Sequence, residues 1–216
     1  MKISIVSNNM YSILVKDSTV NQIGGAELQQ YFIAKGLIEN GHEVSIITQC
    51  FDLSNMEIIN GLRVFTTFHE KDGIPGLRYL YPRLYKIWKA LKQANADVYY
   101  IRTASFLVGV LAIFCSLNGK KFVYGGAHDT DFIPNKLKIA YSRDRMLYKY
   151  GLTKADSIIV QSKRQLELLR TNFRLEGILI PNFSNKYSKP TGRKKSQKNI
   201  LWVSTIRSWK QPLAFI

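Results

Sequence analysis

The 216-residue sequence predicts an α/β domain built on a doubly wound parallel sheet. An apolar strand at residues 2–7, a helical pattern of apolar residues from Ala26 and a second strand at 43–48 form a βαβ unit. Such a unit pairs its strands in parallel. Short apolar strands and helical segments then continue to alternate until about residue 183, which is typical of this fold class.

The elements follow in order along the chain. The polar residues 8–23 predict a loop, the pair at 40–41 ends the first helix, and a small hairpin is expected at 56–68 around Asn60 and Gly61. Further strands are expected at 98–101, 121–125, 157–160 and 178–180. Further helices are expected at about 82–93, 105–117, 135–152 and, behind a capping box of Ser162 and Gln165, up to about 171.

The net charge restricts the possible partners. The formal charge is +16, with 31 Lys plus Arg against 15 Asp plus Glu. This excess favours phosphorylated ligands, nucleic acid or an anionic membrane surface. No zinc-ligand spacing and no RNA-binding aromatic signature is present, so we expect no nucleic-acid partner.

The location is predicted from apolar runs and cysteines. The longest apolar run, at 106–115, is too short to cross a bilayer, and no signal segment begins the chain. Two cysteines, Cys50 and Cys115, argue against a disulfide framework. We therefore expect a cytoplasmic protein.

Gly24 and Gly25 form a candidate binding element. They precede a predicted helix whose first N–H groups are unpaired and whose dipole is positive at this end. The uncrowded glycines would let a phosphate or carboxylate approach. Taken alone, the pair is more often a simple turn before a helix, so the motif needs support from the rest of the chain.

Other candidate segments follow predicted strands. Ligands of open parallel sheets bind beyond the carboxyl ends of the strands. The Gly24-Gly25 loop, the turn at 126–129 and the pair at 181–182 are therefore expected to converge on one edge. His128 in that turn fits a functional or a structural role, whereas His42 after a helix stop is expected to be structural.

A dinucleotide-binding interpretation fails on spacing. The G-x-G-x-x-G turn should follow the first strand directly, but residues 8–23 intervene and the third glycine is missing. Asp52 could imitate a ribose-binding acid, yet it has no glycine motif as its partner. We therefore do not expect NAD.

Several short motifs occur in a characteristic order. They are Gly24-Gly25-Ala26-Glu27, Asn40-Gly41-His42-Glu43-Val44, His128-Asp129, Ala155-Asp156 with Ser162, and Ile180-Pro181-Asn182. Their order resembles the N-terminal half of a family 4 retaining glycosyltransferase of GT-B fold, and residues 200–210 resemble the start of that family's C-terminal domain. Each motif alone is weak, so the resemblance depends on their order and spacing.

The resemblance implies a domain organisation. Residues 1–183 would form the N-terminal, acceptor-side Rossmann-like domain, and 199–216 the truncated start of the C-terminal donor-binding domain. Between them, residues 184–198 mix cations with Ser, Thr, Pro and Gly, which is the composition of a linker.

The resemblance also implies an activity. The enzyme would transfer a sugar from a nucleotide-sugar donor to a saccharide or lipid-linked acceptor with retention. Apart from the nucleotide sugar as co-substrate, no cofactor and no metal is expected. His128 would lie near the transferring sugar as the catalytic residue. Substrate and diphosphate contacts would come from Gly24, Gly25, Glu27, Asp129, Asn182, Arg207 and Lys210. Stabilisation of the leaving diphosphate, which is thought to help deprotonate the acceptor hydroxyl, would carry much of the catalysis.

The sequence departs from the family pattern in two respects. Ser204 and Thr205 stand where the family usually has Gly-Arg; Lys210 matches its second cation, and Arg207 is a candidate substitute for the missing arginine. The family's paired-glutamate motif would fall beyond Ile216. We therefore expect this chain alone to be inactive. The alternative is a non-catalytic module that keeps the fold and binds a phosphorylated or anionic ligand.

Residues 83–92 show a basic amphipathic pattern. One side carries Leu84, Ile87, Trp88 and Leu91, and the other carries Arg83, Lys86, Lys89 and Lys92. Packing against the sheet explains the apolar side, but basic helices with Trp also lie in membrane interfaces. A third possibility combines both, with the apolar side inward and only the cations and nearby tyrosines facing an anionic membrane. That arrangement would make the protein peripheral at the inner face of the membrane.

Overall fold

Strands and helices alternate along the described residues, which are 1–15, 24–49, 56–68, 72–73 and 79–183 of a computed structural model. The strands are β1 Lys2–Val6, β2 Glu43–Thr48, β3 Met56–Ile59, β4 Leu62–Thr66, β5 Val98–Arg102, β6 Lys121–Gly125, β7 Ser157–Val160 and β8 Ile178–Leu179. The helices are α1 Tyr11–Leu14, α2 Gly25–Glu39, α3 Tyr85–Ala94, α4 Phe106–Asn118, α5 Ser142–Thr153 and α6 Lys163–Phe173. The segment Tyr79–Leu84 precedes α3 and is interrupted by extended backbone at Tyr81 (φ −133°, ψ 126°), and a 3₁₀ turn at Asp129–Phe132 follows β6.

One sheet holds all the described strands in the order β3-β4-β2-β1-β5-β6-β7-β8. Every neighbouring pair is parallel except β3 and β4, which form the predicted hairpin. The chain first winds outward from β1 to β3 and then returns beside β1 to wind outward from β5 to β8. This confirms the predicted doubly wound α/β fold and creates a topological switch point between β1 and β5.

Two apolar cores cover the two faces of the sheet, because successive strand residues point to opposite sides. Ile46 packs with Ile5 and with Ala34 of α2 on one face. Its neighbour Ile47 packs on the other face, in the larger core that includes Leu111 of α4 and Tyr148 of α5. As its apolar sequence predicts, α4 is largely buried.

Two helices differ from their predictions. Within the predicted loop 8–23, residues Tyr11–Leu14 form α1, because Met10 and Leu14 lie one helical turn apart and both are buried. The helix predicted from about residue 135 begins only at Ser142. Before it, buried Leu137 and Ile139 flank an exposed residue, and this alternation suits irregular extended chain rather than a helix.

The local turn and cap predictions are largely confirmed. Asn60 and Gly61 both have positive φ, 52° and 79°, as a two-residue type I′ hairpin turn requires. Ser162 Oγ accepts the N–H of Gln165 at 3.2 Å, but the Gln165 side chain accepts from Gln161 N at 2.9 Å rather than closing the box. The predicted linker at 184–198 and the segment 199–216 lie outside the described residues.

Candidate functional site

The predicted convergence of the strand-end segments is present at the carboxyl edge of the sheet. Gln30 of α2 donates to the carbonyl of Val6 at 3.3 Å, which places the first turns of α2 over the end of β1. The preceding residue, Gln29, donates from Nε2 to the carbonyl of Phe183 at 2.6 Å. The start of α2 and the segment after β8 therefore share the switch-point edge.

Gln161 joins the remaining segment to this edge. Its Nε2 donates to the carbonyl of Gly126, and its Oε1 accepts from Nδ2 of Asn182 at 2.6 Å. A cavity of about 170 Å³ lies among these groups, between α2, the ends of β5, β6 and β7, and residues 180–183. Its position outside the carboxyl ends of parallel strands is where this fold class binds ligands.

Arg102 supplies a buried positive charge to the cavity. The residue is 8% exposed at the end of β5, and its Nη2 donates to Asn182 Oδ1 at 2.9 Å. Its Nε has no hydrogen-bond partner among the described residues. Because a guanidinium stays charged at any physiological pH, this site is suited to an anionic group.

Tyr100, which also lines the cavity, carries an uncharged hydroxyl group. Burial raises the pKa of Tyr100, although the adjacent Arg102 cation opposes that rise. Its ring lies so close to Gly125 that an added Cβ would stand 3.0 Å from Cε2. Gly126 is similarly covered by the ring of Phe132, so packing alone accounts for this glycine pair.

His128 is exposed in a turn that Asp131 holds from beneath. Asp131 Oδ2 accepts the N–H groups of Ala127 at 2.8 Å and of His128 at 3.1 Å. Tyr148 donates from its hydroxyl to the Asp131 carbonyl at 2.7 Å. Burial raises the pKa of Asp131, although the two N–H donors oppose this rise. The Asp131 carboxylate therefore fixes the backbone of the turn, and the His128 side chain is exposed.

Asp129, which the sequence also predicts to contact the substrate, forms an ion pair with Arg164 in this structure. Its Oδ2 lies 3.1 Å from Nε of Arg164 on α6, and its side chain is 40% exposed. Exposed pairs of this kind contribute at most about 1 kcal/mol. The carboxylate is thus oriented by α6 and could be released at small cost.

At the start of α2, Gly25 is uncrowded, whereas the carboxylate of Glu27 lies close to Gly24. Gly24 is the extended N-cap residue, with φ −78° and ψ 147°. The Glu27 carboxylate reaches back to where a Gly24 side chain would lie. At Gly25, apart from its chain neighbours and the backbone of its own helix, no described atom lies within 4 Å of the corresponding position. A carboxylate is favoured there by the helix dipole. Glu27 therefore sits where the sequence predicts an anionic ligand.

Of the described residues predicted for the site, one lines the cavity and five do not. Asn182 lines the cavity, whereas Gly24, Gly25, Glu27, His128 and Asp129 do not. Arg207 and Lys210 lie outside the described residues. Among the described residues, no group of three or more His, Cys, Asp or Glu side chains could hold a metal ion.

Sequence reasoning missed three residues that shape this edge: Arg102, Asp131 and Gln161. Arg102 offered one signal, since a charged residue at the end of an otherwise apolar strand marks the ligand-binding edge. The roles of Asp131 and Gln161 depend on tertiary contacts that no local motif announces.

Helix α3 packs its apolar side mainly inward. Ile87 and Leu91 are 2% and 0% exposed, and Trp88 is partly buried against the same core. Lys89 and Lys92 are exposed. Lys86 pairs with Asp72 at 2.8 Å. Core packing therefore explains the apolar side. None of the helices in the described ranges is long and apolar enough to cross a membrane.

The sheet order and the site at its switch point define an N-terminal domain of the GT-B type. A family model for Glycosyltransferase Family 4 matches residues 23–185. The chain therefore belongs to glycosyltransferase family 4. This confirms the family resemblance and the N-terminal GT-B fold predicted from the sequence.

Solved structures share the fold at low identity. Sucrose-phosphate synthase from Thermosynechococcus elongatus aligns with TM-score 0.56 and 16% identity over 83% of this chain and 47% of its own. MurG from Acinetobacter baumannii aligns with TM-score 0.51 and 10% identity, over 88% of this chain and 48% of its own. UDP-GlcNAc 2-epimerase from Methanocaldococcus jannaschii aligns with TM-score 0.50 and 15% identity, over 79% of this chain and 42% of its own. The epimerase shows that this fold also serves other reactions.

A curated relative matches a shorter stretch. The uncharacterized glycosyltransferase MJ1607 of Methanocaldococcus jannaschii is 44% identical over 43 residues, which are 20% of this chain and 11% of that protein. The chain spans less than half the length of each of these relatives.

Proposed function

We propose that this chain is the acceptor-side half of a retaining glycosyltransferase. The enzyme transfers a sugar from a nucleotide sugar to a saccharide or lipid-linked acceptor. The observation that carries the proposal is the family 4 match, whose residues 23–185 include the segments that meet at the switch-point edge. The buried Arg102 cation at the same edge supports an anionic substrate.

The residues around the edge divide into roles. His128 contacts the transferring sugar from its exposed turn, with Asp129 beside it. At the start of α2, Gly24 and Gly25 border the diphosphate, and Glu27 borders the acceptor. In the reaction the leaving diphosphate accepts the proton of the acceptor hydroxyl, so no protein nucleophile is required. Preorganised donors and cations around the diphosphate supply the stabilisation that lowers the barrier.

The donor is held mainly by a second domain, to which Arg207 and Lys210 contribute. The nucleotide sugar is the co-substrate, and neither a metal nor a further cofactor takes part. Residues 1–216 alone are therefore inactive and bind nucleotide sugars only weakly.

The enzyme works at the cytoplasmic face of the membrane as a peripheral protein. Tyr81 and Tyr85 are 68% and 58% exposed, and their ring centroids lie 5.8 Å apart. Tyr85 borders the same surface hollow as the exposed Lys89 and Lys92, so the outward side of α3 offers both cations and an interfacial aromatic ring. Each cation near an anionic surface contributes about 1 kcal/mol, which suits reversible attachment.

The test is a transfer assay on the complete protein. It is incubated with a panel of UDP- and GDP-sugars and with soluble and lipid-linked acceptors, and products are identified by mass spectrometry. NMR of the new linkage should show the anomeric configuration of the donor. Inversion would contradict retention.

The binding experiment uses residues 1–216 in calorimetry with the same donors. Micromolar affinity, roughly −8 kcal/mol, would contradict the assignment of donor binding to a second domain. Binding of anions by the complete protein without any transfer would instead support a non-catalytic binding module.

A further inference from the structure

An apolar groove lies outside the candidate site, between α3, α4 and α5. Its volume is about 600 Å³. Trp88 of α3, Ile113 of α4, and Met146 and Tyr150 of α5 form its floor and walls. Met146 is 72% exposed and Tyr150 44% exposed. Large exposed apolar side chains that share one groove are typical of a binding surface rather than of ordinary solvent-facing helices.

The two helices that flank the groove are strongly basic. Helix α3 carries Lys86, Lys89 and Lys92 and no acidic residue. Helix α5 carries Arg143, Arg145 and Lys149 against the single acid Asp144. Trp88 also borders a second hollow of about 390 Å³, whose rim includes Lys89 and Lys92. An apolar floor with a cationic rim is complementary to an amphiphile with an anionic head.

One end of the groove lies beside the edge that carries the candidate site. Tyr79 lines this end, and its ring centroid lies 5.4 Å from that of Phe106, the first residue of α4 after β5. The Arg143 guanidinium stacks 3.6 Å from the centroid of the same Tyr79 ring. From Arg143 to Tyr150 the groove follows two turns of α5, about 10 Å. A chain lying in the groove would thus have its head near Arg143, towards the sheet edge.

We propose that this groove binds the hydrocarbon chain of a single phosphate-bearing lipid, with its head beside Arg143. The inference rests on the proposed function only in that the lipid would carry the acceptor. Free phosphate would not require the apolar floor, and a neutral apolar helix would not compensate the excess of cations on α3 and α5.

The experiment uses Trp88 as the reporter. The sequence has three tryptophans, so a Trp202→Phe/Trp209→Phe background leaves Trp88 as the sole emitter. Monomeric bromododecyl phosphate is titrated below its micelle concentration, and bromine in the groove quenches Trp88 emission. We expect saturable quenching that inorganic phosphate and butyl phosphate do not reverse, and weaker quenching by an uncharged bromododecyl analogue.

A matched pair of variants tests the position. Met146→Glu places a carboxylate in the groove and should weaken binding at least about tenfold, because a charge is costly against an apolar chain. Leu117→Glu makes the same charge change at a residue of α4 that is 71% exposed and outside the groove lining. It should bind like the parent. Both positions are exposed, and thermal melts verify that both variants fold.

Three results would overturn the inference. They are no quenching of the parent, equal loss in both glutamate variants, and displacement of the lipid by inorganic phosphate alone. Transfer to a soluble acceptor by the complete protein is a separate measurement. The lipid-site proposal can therefore be wrong while the proposed glycosyl transfer is right. Equally, glycosyl transfer can be absent while the groove binds the lipid.

Discussion

Nη2 of Arg102 donates a hydrogen bond to Oδ1 of Asn182 at 2.9 Å, joining residues 80 positions apart in the sequence. The contact ties the end of β5 to the segment that follows β8. Asn182 also donates from Nδ2 to Gln161, so both polar atoms of its amide are used within the domain. Asn182 therefore shapes the cavity by holding Arg102, whatever further contact it makes with a substrate.

Replacing Asn182 tests this link through stability. Asn182→Ala leaves the buried Arg102 without its acceptor, so the free energy of unfolding should fall by about 1–3 kcal/mol. Asn182→Asp keeps an acceptor for Arg102 and loses only the donation to Gln161, so its cost should be smaller. Urea unfolding measures both. Equal stability of the two variants and the parent would show that the link contributes nothing.

His128 should matter for turnover and not for folding. In the complete enzyme we expect His128→Ala to lower kcat by about 10²-fold, the usual cost of one preorganised contact near developing charge. Its Tm should be unchanged, because the side chain is exposed and the backbone N–H that Asp131 accepts is retained. His42→Ala is the matched control, with normal turnover expected. Normal turnover with a lower Tm for His128→Ala would make His128 structural.

Asp131 should control the stability of the turn that presents His128. Asp131→Ala leaves the partly buried N–H groups of Ala127 and His128 without their acceptor, which should cost at most about 1–3 kcal/mol each. Asp131→Asn retains an acceptor oxygen and should cost less. Equal and negligible costs in both variants would contradict this role.

The pH dependence of the same residue has a defined sign. Burial raises the pKa of Asp131 in the folded protein. A raised carboxyl pKa contributes stability below the unfolded pKa, and this contribution is lost as the pH rises through the folded pKa. The stability advantage of the parent over Asp131→Asn should therefore shrink from pH 4 towards pH 7 in urea unfolding. An advantage that grows over this range would contradict the raised pKa.

The fold was predictable because its signals are local, and much of the site was not because its contacts are distant. Apolar strand runs and helix stops announce β1, α2 and β2 within one stretch of chain. By contrast, Gln161 contacts Gly126 from 35 positions away, and Arg102 meets Asn182 across 80. The predicted start of α5 near residue 135 was wrong for a related reason. Leu137 and Ile139 are buried in the core by tertiary packing, which overrides helical propensity.

Cys115 should be chemically inert in the folded protein. It is 2% exposed, and burial, with a smaller effect of Asp156, raises the pKa of its thiol to about 12 although Lys120 opposes the rise. Only the thiolate reacts quickly. In a Cys50→Ser background, which leaves Cys115 as the sole thiol, a disulfide reagent at pH 8 should label the protein only after urea unfolding. Rapid labelling of the native state would show that the α4 side of the core opens readily.

The contact between α4 and α5 depends on two glycines. A Cβ on Gly109 would lie 2.8 Å from the backbone carbon of Leu147, and one on Gly151 would lie 2.6 Å from the N of Gly109. Backbone cannot move aside cheaply, so Gly109→Ala and Gly151→Ala should each lower the free energy of unfolding by about 1–3 kcal/mol through overpacking. Because both changes separate the same helix pair, the double variant should cost less than the sum.

Gly36 is the control for the Gly109→Ala and Gly151→Ala variants, because a methyl group at Gly36 should not overpack. It lies inside α2, and apart from its chain neighbours and the backbone of its own helix, no described atom stands within 4 Å of where its Cβ would be. Gly36→Ala should therefore stabilise the protein by about 0.5–1 kcal/mol, because alanine loses less backbone entropy in a helix. Urea unfolding of the single variants and the double variant side by side measures all the differences in one assay. If Gly109→Ala were also stabilising, helices α4 and α5 could not approach as closely as the structure shows.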